Sequence, residues 1–463
     1  MLDRRLLMLA LAALVCGCMV GPSYERPALD VPETYKEPAS TDIAFANVPW
    51  WELFQDPVLV NLVEQALANN KDLGVAVARI EEAAATVNVV RANQFPFVDA
   101  AGSAGRLRES KELFPTAESR DDFFIGAAAS FEIDLWGKLR RATEAARADL
   151  LAAQANARNV TITLVATVAT SYFLLLDLDD RLAISRRTRS SREESLRIIE
   201  ARFDRGTVPE LDVNQADIEA ADADAAVAAF ERLVRQAENA ISVLVGSSPR
   251  ELTRGVPLGR QAMQVDVPAG LPIELLERRP DVLAAEELLA AETARVGVRR
   301  ALRLPSLALT GSYGAASQDL SDLLSGDSAT WGFFGNVFAP LFNSGQLKSA
   351  ERAQRQRAEQ ARLAYEQAVL DALRDVDDSL TAVRTLRAEH TARLRQLRAA
   401  QNAARLSRAR YDGGIVSYLE VLDSERSLFQ AELLESETRQ QQLSAVVRLY
   451  RALGGGWPAF EAP

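Results

Sequence analysis

The sequence predicts a mainly α-helical protein with a small β part, built from one unit that occurs twice. Three observations carry that prediction. Two runs, Lys138 to Arg205 and Gln346 to Asp412, contain neither glycine nor proline over 68 and 67 residues. One phrase recurs, as ARFDRGTVPELDVNQA at 201–216 and ARYDGGIVSYLEVLDS at 409–424, with seven of sixteen positions identical. Ahead of each long run lie two short stretches of small and aromatic residues that alternate with period two. Self-similarity at long spacing marks a duplicated structural unit.

The N-terminus reads MLDRRLLMLALAALVCGCMVGPSYERP. Arg4 and Arg5 form a basic start, and Leu6 to Val15 a ten-residue apolar core. That core is too short to span a bilayer, so residues 1–17 are expected to be an export signal. An aliphatic residue, a spacer and a small residue ahead of Cys18 resemble the lipobox of bacterial lipoproteins, which makes Cys18 the expected lipid attachment site. Cys16 fits less well, because Val15 would then occupy the small-residue position. Met19 rather than Asp at the next position implies the outer membrane by analogy with lipoprotein sorting. Residues 18–95 are expected to form a lipidated N-terminal segment and the first helices. No later stretch offers about twenty continuous apolar residues, so no transmembrane helix is expected.

Residues 96–136 are expected to form a first β-hairpin. Ile125, Ala127, Ala129, Phe131, Ile133 and Leu135 fall on one face at period two, with Gly126, Ala128, Ser130, Glu132 and Asp134 on the other. A second hairpin is expected over 305–342, where Trp331, Phe333, Gly335, Val337 and Ala339 alternate with Gly332, Phe334, Asn336 and Phe338. Strands of about ten residues with this composition suit a transmembrane β-barrel.

Residues 137–246 and 343–453 are expected to form two long helical hairpins. In the first run a stripe of Ala, Leu and Val from Leu139 to Leu182 recurs about every 3.6 residues. A helix of that length is about 100 Å long at 1.5 Å per residue. Each run ends in the repeated phrase. Gly206 and Gly414 can take the left-handed conformation that closes a helix, and Pro209 suits the first turn of the next one. Between the halves, 247–280 is rich in Pro and Gly and reads as an equatorial linker. A helix is expected over 281–304, and 454–463 is left as a tail.

Composition excludes several function classes. The net charge of −11 argues against nucleic acid, which attracts a basic face. The single histidine, His390, is expected on a solvated helix face within RAEHTARLRQLR. There is no HExxH, GxxxxGK[ST] or GxSxG motif, and the only cysteines are Cys16 and Cys18. No enzyme chemistry, no metal site and no cofactor are expected.

Four strands cannot close a barrel, and open sheet edges are not tolerated in lipid. Two subunits would give eight strands, a barrel filled by its own side chains. Three give a shared twelve-stranded barrel able to enclose a channel. The helices would then continue it as a trimeric α-barrel.

At this point the chain resembles the TolC-like outer-membrane efflux proteins, in their NodT/OprM-type lipoprotein branch. The matching stretches are GCMVGPSYERP, WWELFQDPVL (50–59), ALANNKDL (66–73), FEIDLWGKLRRA (131–142), LPIELLERRPDVLAAE (271–286), PLFNSGQL (340–347) and RYDGGIVSYLEVLDSERSLF (410–429). LLERRPDV is the most specific. The resemblance implies a homotrimeric exit channel in the outer membrane, with its helical tube in the periplasm. It also implies a periplasmic adaptor and an inner-membrane pump, usually of the resistance–nodulation–division class, as partners. In that family the second tip forms the constriction, and the matching positions are Arg410, Tyr411, Leu419, Asp423 and Arg426. Asp204 and Asp212 on the first tip are expected partners of the gate. Gly206, Thr207, Val208, Gly414, Ile415 and Val416 are the expected adaptor-contacting tips. A lipid-anchored coiled-coil scaffold without a pore, and a type I protein-secretion channel, are the alternatives.

Overall fold

A computed structural model describes residues 19–29, 31–36, 55–110, 112–113, 115–116, 118–261 and 275–455. The signal segment, Cys18 and most of the expected tail lie outside these residues. In chain order the elements are α1 (Pro57–Asn69), α2 (Lys71–Ala92), β1 (Phe97–Leu107), β2 (Arg120–Ile133), α3 (Lys138–Asp204) and α4 (Glu210–Leu244). A short α5 (Leu275–Arg278) follows, then α6 (Pro280–Ala301), β3 (Ser306–Ser317), β4 (Ala329–Phe338), α7 (Gln346–Asp412) and α8 (Tyr418–Ala452). α3 and α7 are each 67 residues long, and the helices that follow them are each 35. The two halves therefore repeat element for element. The chain divides into two compact units, and α3 and α7 each pass through both.

One unit holds the strands, with residues 78–155 and 284–367 and the chain start. The two expected hairpins form one sheet in the order β1-β2-β3-β4, antiparallel throughout. The central pair joins the halves, with Phe131 opposite Leu309 and Gly126 opposite Gly314. Trp331, Phe333, Phe334, Val337 and Phe338 on β4 are all largely exposed. β1 and β4 have no outer neighbour among the described residues.

The segment after Cys18 is strapped onto this unit. The Val20 amide donates to the Trp136 carbonyl at 3.1 Å. Gly21 lies so close to Gly297 of α6 that a Cβ on Gly21 would sit 2.4 Å from the Gly297 Cα. Arg26 then grips Glu286 with two hydrogen bonds of 2.7 and 2.8 Å, and the Tyr24 hydroxyl donates to the same carboxylate at 2.8 Å. A bidentate guanidinium–carboxylate pair fixes orientation as well as distance.

The other unit holds residues 30–77, 156–283 and the chain from 368 onward. Its core packs Leu59, Val63, Val168, Tyr172, Leu175, Ile241, Val376 and Leu449. One window of α3 is apolar enough over 18 residues to cross a membrane by composition, yet 61% of it is buried inside the packing. Its apolarity is that of a core helix. His390 departs from expectation. It is only 12% exposed and bonds to Glu435 of α8 at 2.9 Å, because that stretch of α7 turns toward α8 rather than to solvent.

Asp56 organises the irregular layer of this unit. It caps α1, accepting from the Val58 amide at 2.9 Å. It also accepts from the Tyr172 hydroxyl at 2.9 Å, the Val256 amide at 2.9 Å and the Gln261 amide group at 2.8 Å. The residue is fully buried, so each donor depends on it. Asp56→Ala should lower stability by about 3 kcal/mol, the cost of leaving several buried donors unpaired. Thermal unfolding followed by circular dichroism checks this, and an unchanged midpoint would refute the role.

Candidate functional site: the two helical turns

Both copies of the repeated phrase fold the same way. The Thr207 amide donates to the Arg202 carbonyl at 3.0 Å, and the Gly206 amide to Phe203 at 2.7 Å. In the second copy Ile415 donates to Arg410 and Gly414 to Tyr411, each at 2.9 Å. Gly206 has φ +70° and Gly414 φ +69°. This is the Schellman closure, which requires a left-handed residue and favours glycine. Pro209 and Ser417, both extended, start α4 and α8.

The turns pack against each other. Ile199, Ala216, Tyr418, Val421 and Leu422 form a small buried cluster, flanked by Val208, Val213 and Tyr411. The Tyr411 ring lies 5.3 Å from that of Tyr418, and the Arg202 guanidinium sits 5.1 Å over its face. Beyond the cluster the tip is bare. Ile415 is 70% exposed and Leu419 55%, while Thr207, Gly206 and Gly414 are also exposed and Val416 is half-buried.

The expected gate residues are not all brought together within the subunit. Arg410 pairs with Glu420 at 2.9 Å. Arg426 reaches across to Glu219 on α4. Asp423 and Asp204 are exposed and Asp212 is half-buried near the start of α4, and none of the three has an ion pair among the described residues.

A cluster that the sequence did not reveal lies just above the turns. Glu219 is 2% exposed and Arg192 of α3 4%. They form an ion pair at 2.9 Å, and Arg192 also donates to the Glu219 carbonyl at 2.9 Å. Its guanidinium lies 5.2 Å over the Phe429 ring of α8. Arg408 of α7 donates to Ser195 of α3 at 3.0 Å and faces Glu425 at 3.5 Å. Burial pushes the Glu425 carboxyl above its ordinary pKa, against the pull of Arg408 and Arg192. These contacts tie the α3–α4 hairpin to the α7–α8 hairpin. One signal was available, because Glu219 shares its helix face with Ala216, Ala220, Ala223 and Val227. A lone carboxylate in an apolar stripe calls for a buried cation.

Magnitudes rank these contacts. The Arg410–Glu420 pair is about half exposed on both sides, and such pairs contribute about 0–1 kcal/mol. Breaking a buried pair costs about 3–5 kcal/mol, because a charge is left stranded. The strongest of these contacts is therefore Arg192–Glu219, which joins α3 to α4, and Glu219 reaches the other hairpin through the half-exposed Arg426. A second acidic group lies farther from the turns. Asp180 is pushed up to about 6, by burial first and then by Asp177, Asp179 and Glu435, with Arg439 opposing. Among the described residues no group of three His, Cys, Asp or Glu could hold a metal ion.

The chain matches the family model described as "Outer membrane efflux protein" over residues 62–247 and 271–455. It is 36% identical over 451 residues to the solvent efflux pump outer membrane protein SrpC of Pseudomonas putida, covering 95% of this chain and 96% of that one. It is 33% identical over 460 residues to the cation efflux system protein CusC of Escherichia coli, covering 98% and 99%. The structure superposes on the open state of the MtrE outer membrane channel of Neisseria gonorrhoeae with a TM-score of 0.86 at 31% identity, covering 95% of this chain and 98% of that one.

Two expectations follow. Glu219→Ala should separate the hairpins at the turns and raise hydrogen exchange at the backbone of 196–220 and 405–428 at least tenfold. Unchanged exchange there would remove Glu219 from the restraint. For Asp180, the raised pKa means the folded state holds its proton more tightly than the unfolded chain does. Its stabilising contribution is complete below its ordinary pKa near 3.8 and is lost as pH climbs through about 6. Asp180→Asn should therefore flatten the fall in thermal midpoint between about pH 4 and pH 6, and an unaltered slope would contradict this.

Proposed function

Because the chain belongs to the outer membrane efflux protein family, we propose that it is the exit duct of a tripartite efflux system. It carries small molecules passively from a periplasmic adaptor and an inner-membrane pump to the outside. The observation that carries this reading is one open, four-stranded sheet with exposed aromatics, joined to two 67-residue helices in a chain of this family. A scaffold without a pore has no use for such a sheet. Three copies close twelve strands, and the exposed aromatics of β4 then meet lipid. The pump partner is of the resistance–nodulation–division class.

Cys18 carries the lipid anchor. The strap supports this, since Met19 packs against Gly137 just beyond the end of β2. The acyl chains would enter the bilayer where the sheet gives way to helix. The relatives' names point to organic solvents in one case and cations in another. Selection of cargo then rests with the pump.

The turns form the gate and the adaptor-contacting tips. Asp423 from three copies makes a carboxylate ring about the axis, with Leu419 beside it and Arg410 and Tyr411 close by on α7. Dilation requires the α7–α8 hairpin to swing from the α3–α4 hairpin, which breaks the Arg426–Glu219 contact. Exposed apolar Ile415 and neighbouring Val416 offer the adaptor a contact, as do Thr207 and Val208 on the first turn.

Single-channel recording in planar bilayers tests the gate. Asp423→Ala should raise resting conductance several-fold. Unchanged conductance removes this residue from the gate, and the absence of any channel activity in the parent protein would overturn the conduit itself.

A further inference from the structure

In the helical unit the pair formed by α3 and α8 has two unlike sides. On one side Tyr172 of α3 donates to Asp56 at 2.9 Å and Arg439 of α8 donates to the Leu258 carbonyl at 3.0 Å, so the irregular layer covers it. Thr170 and Leu174 lie two residues either side of Tyr172, about 160° around the helix at 3.6 residues per turn. Arg448 lies nine residues past Arg439, about two and a half turns, and so also falls on the side away from the layer. There the two helices border an open groove of about 340 Å³. Small-molecule sites commonly measure about 300–1,000 Å³.

The groove is electropositive. Arg448 and Arg451 line it, and their exposed side chains have no ion pair or hydrogen bond among the described residues. No acidic residue lines it. There is none in α3 from Asn156 to Leu176, and none in α8 from Gln440 to Ala452. A smaller neighbouring groove of about 270 Å³ shares Arg451 and holds Asp281 and Asp375. Both carboxylates pair with the buried Arg279 of the LLERRPDV stretch, at 2.6 and 3.3 Å, and Asp375 also meets Arg374 at 3.0 Å. Arg279 thereby occupies the acids that would otherwise neutralise Arg451.

The other lining groups narrow the choice of ligand. Thr167 and Thr170 donate their hydroxyl protons to carbonyls of their own helix, at 2.7 and 2.8 Å, and Gln440 donates to Ser444 at 2.8 Å. That leaves chiefly the two guanidiniums and the Ser171 hydroxyl to meet a ligand. Arg448 and Arg451 are neighbours three positions apart on one helix face, where like charges repel. An anion held between them relieves the repulsion, and the planar guanidinium matches the paired oxygens of such a group. Leu174 is 43% exposed at the groove and offers apolar contact to the rest of the molecule.

We propose that this groove is a transit site for small organic anions on the inner wall of the duct. Arg448 and Arg451 hold the anionic group, and Leu174 meets the apolar body. It rests on the exit-duct reading and adds to it a class of cargo that the wall favours. The covered side of the α3–α8 pair must face outward, because α1 and the irregular layer from three copies would fill the tube. The groove then faces the lumen. Exposed charge contacts are weak, and a conduit needs sites that release as readily as they bind.

The test uses the full-length lipidated protein and pyrene tetrasulfonate, an aromatic anion charged at every working pH. Fluorescence anisotropy in detergent should show saturable binding that weakens with added salt. Arg448→Ser with Arg451→Ser should weaken binding at least tenfold at an unchanged thermal midpoint. If that pair lowers the midpoint, Arg448→Ser alone should still weaken binding at least threefold. As a control, Arg108→Ser with Arg120→Ser, two exposed arginines beside the loop between β1 and β2, should leave binding unchanged. No loss from the groove variants, or an equal loss from the control, overturns the site. In planar bilayers the probe should reduce the parent current, and the double groove variant should resist it. A conducting parent whose current ignores the bound probe puts the groove outside the lumen and overturns the transit role. A parent that does not conduct overturns the duct itself, and the binding arm then still decides the anion site.

Discussion

A β-strand at the edge of a sheet carries backbone N–H and C=O groups with no partner, and lipid supplies none. β1 and β4 are such strands here. The architecture follows from satisfying them. Within one chain the two halves already cooperate, because β2 and β3 pair along eleven positions and merge two hairpins into one sheet. On the three-copy reading proposed above, the remaining edges are met by other copies.

The helical end faces a different constraint. As the gate proposed above, the turns must hold shut and yet open. The contacts near the turns divide accordingly into weak and strong. Arg410–Glu420 is exposed and easily exchanged with water. Glu219 is buried between Arg192 and Arg426, and its loss strands a cation. Arg426 is itself half exposed. It can leave while Arg192 stays, so the carboxylate keeps one partner throughout. In the proposed gate, that arrangement would let the hairpins part without burying a lone charge.

Duplication supplies the frame, and divergence between the halves supplies the function. The turns at Gly206 and Gly414 share one backbone geometry because the same left-handed residue closes each helix. The helices around them differ in charge. The start of α4 is acidic, and the end of α7 is basic.

Much of this was legible in the residues. The absence of Gly and Pro between 138 and 205 marked α3, since nothing in that run interrupts helical hydrogen bonding. Period-two alternation at 125–133 marked β2. The repeated phrase identified both turns, because a Schellman closure needs a specific residue at a specific place. What the sequence could not provide was partnership between residues far apart in the chain. Arg426 belongs to the matched tip stretch, but its contact with Glu219, 207 positions away, is written in no local pattern. His390 looked solvated within its charged run, yet bonds to Glu435. Asp56 stood in a matched motif, but its hold on Tyr172, Val256 and Gln261 depends on loops that converge only in three dimensions. Local pattern determines which element forms, since helix, strand and turn are decided over a few residues. Which charge is buried, and against what, is decided by packing alone.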